Sequence, residues 1–572
     1  MVNIEKIVLR ALNSSKKTSP STYIALRILV GDNKNLKWIE KYCQRRLLTT
    51  TKWTYNEYKW FKKIEENGNM IFRTFHIGSP TTLLMESYIL SLLSRYDVFK
   101  NNDQNYSYHL SEQFENYNFS YYYKGYKRRN DAITAKLSSD SSLKAYIFDL
   151  TDYYPSIDKK FVYDSFIKHL NKTNINNKIK KGILNFVKSA LDITQKGIPV
   201  NPDIGHLLGS IALKTFDDIM YSTFNNNYFR YVDDIVIIAN QSDIKNILKS
   251  NLPLCLELNN EKEQVLTFNE WKIYTEKIIE KDDFNELIND IQIYISSQDN
   301  ISLIQKQLRI NNISIPIYKL YINSRYAPWQ SFIKTTYNSI KLRINNLTVD
   351  SLVNRTINLK KLYLNSLKNL ESIESTKNKI HKRNLIKRYH YYINRLIYLC
   401  DSTEYESKLL PFIPNTNDFF ETTSVINAIL KNDISKISKI GGKSIFTFSE
   451  IWKSNNLEVP KIDKKLAEEM NENVLNSLGI FSINGVINLS EIIDVKKLKE
   501  INYNSKCYID FCNSKKITER ELDDLSYHDE MMSLRLNISF EEVQTKLFTR
   551  YKKTDKLHLS GLHLDDNEYY SL

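Results

Sequence analysis

Cysteine, glycine and proline are all scarce in this chain. Of its 572 residues, five are cysteine, 13 glycine and 11 proline. The cysteines fall at 43, 255, 400, 507 and 512, and Cys507 and Cys512 have no matching second pair. That spacing excludes a zinc module and a disulfide framework, so five reduced thiols of an intracellular protein are expected. The start, Met1-Val2-Asn3-Ile4-Glu5-Lys6, lacks the charged-then-apolar pattern of a signal peptide. No apolar stretch approaches the ~20 residues that span a bilayer, so no membrane partner is expected and the chain reads as soluble and cytoplasmic. It has no repeat of fixed period and no long low-complexity linker.

Hydrophobic residues make up 42% of the chain, ample for a sizeable core, and the length suits two to four domains. The net charge of +14 points to a polyanionic partner or to simple solubility. The charge is concentrated. Residues 331–400 hold 14 Lys/Arg and 3 Asp/Glu, a surplus of 11. The 38 tyrosines follow the Asn, Lys and Ile bias of an AT-rich genome and carry little weight alone.

Residues 1–70 have a basic, mostly helical pattern that includes Trp38, Trp53 and Trp60. Met70 to His76 reads as a strand, broken at Gly78-Ser79-Pro80, with an apolar helix over 82–93. Residues 146–270 alternate strand and helix. A strand spans 146–150, helices span 159–170, 176–191 and 203–221, and a hairpin spans 228–239. A further helix lies near 241–251, followed by a strand or turn within 254–268. Helical periodicity dominates from about 275. The expected class is α+β, with helices packed on one sheet, followed by an all-helical C-terminal region.

The run Phe229-Arg230-Tyr231-Val232-Asp233-Asp234-Ile235-Val236-Ile237-Ile238 puts two carboxylates inside a β-branched, apolar stretch. Such charges are costly unless something cationic neutralises them. A hairpin whose turn offers both to a divalent metal answers that cost. A third carboxylate, Asp149, lies in the similar strand Tyr146-Ile147-Phe148-Asp149-Leu150. Oxygen ligands converging from two strands suit Mg²⁺, with Mn²⁺ as the alternative, and two-metal nucleotidyl transfer needs this layout.

In order along 71–268, these segments resemble the reverse transcriptase family. Phe72–Leu93 and Gly125-Tyr126-Lys127-Arg128-Arg129-Asn130-Asp131-Ala132-Ile133 look like the fingers motifs. Phe148–Asp158 resembles motif A, and Gln195-Lys196-Gly197-Ile198-Pro199 through Leu213 resembles motif B. Arg230–Asp234 resembles motif C and Asn259–Lys262 motif D. The resemblance implies a fingers/palm, right-hand polymerase core. The regions are then 1–145 (N-terminal extension and fingers), 146–270 (palm), 271–340 (thumb-like or connecting helices) and 341–572 (all-helical domain).

It also implies roles. Asp149 and Asp233 bridge two Mg²⁺ ions, Asp234 assists, and the Leu150 carbonyl is a further ligand. Tyr154 takes the steric-gate position that favours dNTPs, unless it is a core tyrosine. Arg73, Lys127, Arg128 and Arg129 clamp the triphosphate, or the Lys-Arg-Arg run is a solvated loop. Gln195 and Gly197 border the nucleotide, and Lys262 serves the pyrophosphate leaving group. Two departures stand out. Motif B reads Gln195-Lys196-Gly197 where polymerising relatives read Pro-Gln-Gly, and no primer grip is visible near Phe268–Lys272.

No RNase H, endonuclease, integrase or zinc segment follows the core. The remainder resembles the bacterial defence-associated reverse transcriptases of abortive-infection type. That resemblance implies DNA synthesis from dNTPs in antiphage defence, template-independent and primed from a protein hydroxyl in some members. A DNA product, a homo-oligomer, and a non-coding RNA or partner protein are the implied partners. Two readings stay open beside it: a conventional RNA-templated enzyme of a retron or intron, and a nucleic-acid-binding scaffold with a relic core. In the basic block, Lys377, Lys379, Lys382, Arg383, Lys387 and Arg388 are the expected nucleic-acid contacts. Tyr337, Tyr363, Tyr389, Tyr391 and Tyr392 would either stack on bases or fill a core.

Overall fold

A computed structural model of the chain describes residues 3–16, 33–48, 53–111, 115–240, 243–276, 282–296, 301–317, 347–463 and 472–483, with a few isolated positions besides. Residues 321–346 and 488–572 lie outside the described residues, and Tyr337, Cys507 and Cys512 with them. The chain divides into two units. The first takes in Met1–Tyr58 and Thr74–Glu276, and the second takes in Lys59–Arg73 and Lys277–Lys516.

The first unit is built on an antiparallel sheet. The first strands in the chain, β1 (Tyr55–Ile64) and β2 (Met70–Gly78), pair as a separate hairpin whose residues 59–73 belong to the second unit. The four-stranded sheet follows: β3 (Lys144–Asp149), β4 (Tyr228–Tyr231), β5 (Asp234–Ala239) and β6 (Gln264–Leu266), in the order β4-β5-β3-β6. In β3 and β5, Lys144 stands opposite Ala239 and Asp149 opposite Asp234. Tyr231 pairs with Asp234 across a two-residue turn. The β-branched run Ile235-Val236-Ile237-Ile238 is buried on both faces, which suits a central strand.

Among the described residues, the longer helices of this unit are α1 (Ile4–Lys16), α2 (Asn33–Leu47), α3 (Pro80–Leu93), α4 (Tyr122–Ser139), α5 (Lys159–Asn171), α6 (Asn177–Asp192), α7 (Asp203–Ala212), α8 (Lys214–Phe224), α9 (Ile244–Asn251) and α10 (Phe268–Thr275). Local chemistry sets their starts. Ser79 caps α3 by accepting from Thr82 N–H, with Pro80 at the first helical position. Asp158 caps α5, and Thr267 and Glu270 form a reciprocal capping box on α10. Helices α4 and α10 touch each other and pack on the sheet, while α8 packs on β4 and β5. Phe148, Phe166, Phe186, Tyr228 and Trp271 are among the largest side chains fully buried in this unit. Each large apolar side chain so buried contributes about 1.5–3 kcal/mol.

Two expectations need correction. The helical pattern over 1–70 ends at α2, and residues 55–64 are strand. Aromatic and branched side chains favour the pleated surface, and Asn67-Gly68 turns the hairpin with Gly68 at φ +86°. The single helix expected over 203–221 is two helices, α7 and α8, meeting at Leu213.

The second unit, among the described residues outside the hairpin segment, is helical: α11 (Asp283–Ser296), α12 (Ser302–Ile310), α13 (Val349–Lys368), α14 (Lys379–Leu399), α15 (Phe420–Lys431), α16 (Ser435–Ile440), α17 (Lys443–Ser454) and α18 (Glu472–Ile483). Helix α13 packs along α14 and α15 along α17. Buried polar networks run through it. Lys360 pairs with Glu404, and Arg395 meets Asp282 at 3.1 Å while lying 3.6 Å over the Tyr391 ring. No described helix is long and apolar enough to cross a membrane.

Candidate metal centre

Sheet register brings the three aspartates together. Asp149 closes β3, Asp234 opens β5 opposite it, and Asp233 sits in the turn between β4 and β5. Their carboxylate oxygens lie within 4.8 Å of one another. Like charges at that separation repel by about 3–4 kcal/mol at an effective dielectric of 20. Burial, then Asp234 and then Asp149, push the Asp233 carboxyl up to about 7. A cluster this unfavourable without a cation, built of hard oxygen donors, fits a divalent metal.

The turn itself is strained and braced. Val232 has φ +57°, rare for a β-branched residue. Its N–H donates to Ser107 Oγ at 3.0 Å, and its carbonyl accepts from Arg230 Nη1 at 2.8 Å. Arg230 is 1% exposed and grips Asp217 with two nitrogens, Nε at 2.6 Å and Nη2 at 2.5 Å. Tyr228 Oη donates to the same carboxylate at 2.6 Å. Burial opposes the Arg230 charge, but Asp217 outweighs it and its pKa is raised.

On the other side of β3, Asn259 N–H donates to the Asp149 carbonyl at 2.8 Å and Thr151 N–H to Glu257 at 2.9 Å. Leu150 N–H donates to Asp233 O at 3.2 Å. In an antiparallel ladder a residue's N–H and C=O point the same way, so the Leu150 carbonyl is turned to the aspartate side. Lys262 Nζ lies 2.9 Å from Asp149 Oδ2. Burial disfavours its charge, yet the hydrogen bond to Asp149 and the three carboxylates prevail and raise its pKa.

Tyr154 lies on the helical turn Tyr153–Ser156 that follows Asp149. Its hydroxyl shares a 2.7 Å hydrogen bond with His206 Nδ1. His206 stacks on Tyr108 at 3.9 Å and 8°, and burial lowers its pKa to about 3, so the ring is neutral. Burial raises the Tyr154 hydroxyl well above its ordinary value. Gly197 holds this turn in place. It has φ +71°, and a Cβ there would stand 2.4 Å from Pro155 Cα. Ile198 N–H donates to the Tyr154 carbonyl at 3.0 Å. Gln195 is exposed beside it.

The other sequence-picked residues are scattered. Lys127 and Arg128 are exposed on α4. Arg129, on the same helix, faces inward, 3% exposed and 3.9 Å from Asp234 Oδ2. It is not part of a solvated loop. Arg73 is exposed on β2, in the part of the hairpin that belongs to the second unit.

Within the second unit, Lys377, Lys379 and Lys382 are exposed, while Arg383, Lys387 and Arg388 are half-buried. Burial, then Arg383, lower Lys387 to about 7. Tyr363, Tyr389 and Tyr391 are buried at 4%, 7% and 4% exposure. Of the two alternatives open for these three, stacking on bases or filling a core, they take the core: their rings belong to the packing of α13 and α14.

Sequence reading passed over Asp217, Ser107, Tyr108, His206 and Asn201. Asn201 has φ +85°, and its side chain donates to the His76 carbonyl at 3.1 Å. An Asn between Val200 and Pro202 was the available signal for that turn.

Neither protein-family profiles nor curated proteins give a match to the chain. Among solved structures, it is similar to telomerase from Candida albicans in complex with the TWJ fragment of telomeric RNA. Identity is 11% and the TM-score 0.26, covering 84% of this chain and 68% of that one. It is also similar to apo telomerase from Candida tropicalis, at 11% identity and TM-score 0.27, over 77% of this chain and 72% of that one.

Proposed function

We propose that this protein is a divalent-metal-dependent nucleotidyltransferase that builds DNA from dNTPs, as the reverse transcriptase resemblance of its motifs implies. The observation that carries the reading is the meeting of Asp149 with Asp233 and Asp234, from paired strands, within 4.8 Å. Mg²⁺ or Mn²⁺ suits these donors. When bound, such ions lower the pKa of an attacking 3′-hydroxyl and offset the charge of the triphosphate and leaving group.

The chain's own residues do the rest. Asp149, Asp233 and the Leu150 carbonyl would hold the ions. Lys262, released from Asp149, carries a proton at Nζ to the departing pyrophosphate. Lys127 and Arg128 meet triphosphate oxygens from α4. Tyr154, fixed by His206, closes the space a 2′-hydroxyl would need. Lys377, Lys379 and Lys382 contact product phosphates. The finer reading is antiphage defence by template-independent, protein-primed synthesis, in a homo-oligomer or with an RNA or protein partner.

The test incubates purified protein with Mg²⁺ and labelled dNTPs without template, beside Asp233→Asn/Asp234→Asn. Label that runs with the protein until protease frees it supports the finer reading. Product only after RNA template and primer are added supports a conventional reverse transcriptase. No product in either case refutes the proposal for the isolated chain.

A further inference from the structure

Arg129 belongs to the fingers-like run, yet its side chain does not reach solvent. Its Nε and Nη2 each lie 3.3 Å from Asn130 Oδ1, a neutral acceptor. Its guanidinium lies 4.6 Å from the Tyr126 ring centre and 5.6 Å from that of Tyr231. Nη1 is buried without a hydrogen-bond partner and lies 3.9 Å from Asp234 Oδ2. A guanidinium remains charged in any protein setting, and a buried charge requires a counter-charge. Among the described residues, Asp234 is the carboxylate within ion-pair distance.

Among the described residues, two cations of different freedom stand at the aspartate cluster. Lys262 is 61% exposed on a flexible stem and can leave Asp149 when a metal arrives. Arg129 cannot leave. Its helix packs on β4 and on the segment beside it, where a Cβ on Gly125 would stand 2.1 Å from the carbonyl oxygen of Tyr106, whose N–H donates to the Arg230 carbonyl. An incoming metal therefore displaces Lys262 and leaves Arg129 in place.

Resting on the metal-centre reading, we propose that Arg129 is a positioning residue that neutralises Asp234 and keeps it out of the metal's ligand set. The ions are then held by Asp149, Asp233 and the Leu150 carbonyl. Asp234 draws the strained turn toward α4 and fixes the direction in which Asp233 faces. Arg129 is assigned to the carboxylates, not to the triphosphate.

The test is Mn²⁺ binding to the full-length protein without nucleotide, with free Mn²⁺ counted by electron paramagnetic resonance. Asp149→Asn and Asp233→Asn are expected to weaken binding by about tenfold or more, the usual scale for disturbed metal sites. Asp234→Asn stays within about threefold of wild type, far below that scale. Arg129→Gln tightens binding by about tenfold, because the released carboxylate joins the ligands, and Arg129→Lys returns it toward wild type. Thermal unfolding without metal verifies that each variant folds, and the Asp234→Asn arm decides if Arg129→Gln does not. Asp234→Asn weakening binding as much as Asp233→Asn, or a folded Arg129→Gln with unchanged or weaker binding, overturns the assignment alone. A wild type that takes up no Mn²⁺ overturns the metal centre and the assignment together.

Discussion

Asp233→Asn should stabilise the metal-free protein while abolishing its chemistry. The carboxyl stands at about 7 in the fold, against a usual 3.8, because of burial and the neighbouring Asp234 and Asp149. At about 1.4 kcal/mol per unit, that shift corresponds to a ceiling of about 4 kcal/mol against the ionised form. Titration shared with the neighbours and salt screening bring the expected gain to about 1–2 kcal/mol. The sign follows from linkage. A raised carboxyl pKa means the folded state binds the proton more tightly, so wild-type stability falls as pH rises from about 4 through about 7. Asparagine does not titrate, so its advantage is small near pH 4 and full at pH 8. Thermal unfolding in EDTA at pH 5 and pH 8 reads this out, with an expected Tm rise of about 3–6 °C at pH 8. A variant less stable than wild type, or equally more stable at both pH values, would refute the electrostatic account.

Other outcomes follow from the same geometry. Breaking the buried Arg230–Asp217 pair with Asp217→Ala should cost about 3–5 kcal/mol in urea unfolding, and Asp217→Leu/Arg230→Met should cost less than the two single changes combined. Gly197→Ala forces a Cβ into the Tyr154–Pro155 backbone at positive φ and should cost about 2–4 kcal/mol, read as a lower Tm. Val232→Asn places a residue tolerant of positive φ in the strained turn and should add about 1 kcal/mol of stability in the same assay. His206→Leu removes one of the two side-chain partners of the Tyr154 hydroxyl, Tyr108 being the other, and the dNTP-over-rNTP ratio of kcat/KM should fall about tenfold, the scale of one lost hydrogen bond.

Much of the aspartate-bearing sheet was legible because a period-2 signal and its punctuation coincide there. The strand at 146–150, the hairpin at 228–239 and the capped helices on 80–93 and 159–171 all announce themselves locally. The hairpin of β1 and β2 was less so, since Tyr55 to Ile64 mixes aromatics with lysines that fit either period. Its Asn67-Gly68 turn was the clue. The break at Leu213 has no proline or glycine to mark it and depends on packing.

At the site, long-range facts were the hidden ones. Nothing in a Lys-Arg-Arg run tells which arginine turns inward. Arg129 does so because Gly125, Arg129, Ile133 and Leu137 share one helix face. Asp217 lies in a helix 13 residues before its partner Arg230, and only the folded sheet shows why. The tyrosines of α13 and α14 look like a stacking surface in composition, whereas the rings of Tyr363, Tyr389 and Tyr391 fill a core.

The central claim is that Asp149 and Asp233 direct phosphoryl chemistry on nucleotides. Pyrophosphate release from each dNTP in Mg²⁺, set against labelled nucleotide made acid-insoluble, tests it without presuming template or primer. The account predicts one pyrophosphate per nucleotide incorporated by wild type, and loss of both signals in Asp149→Asn and in Asp233→Asn. Equal turnover in wild type and both variants would contradict it.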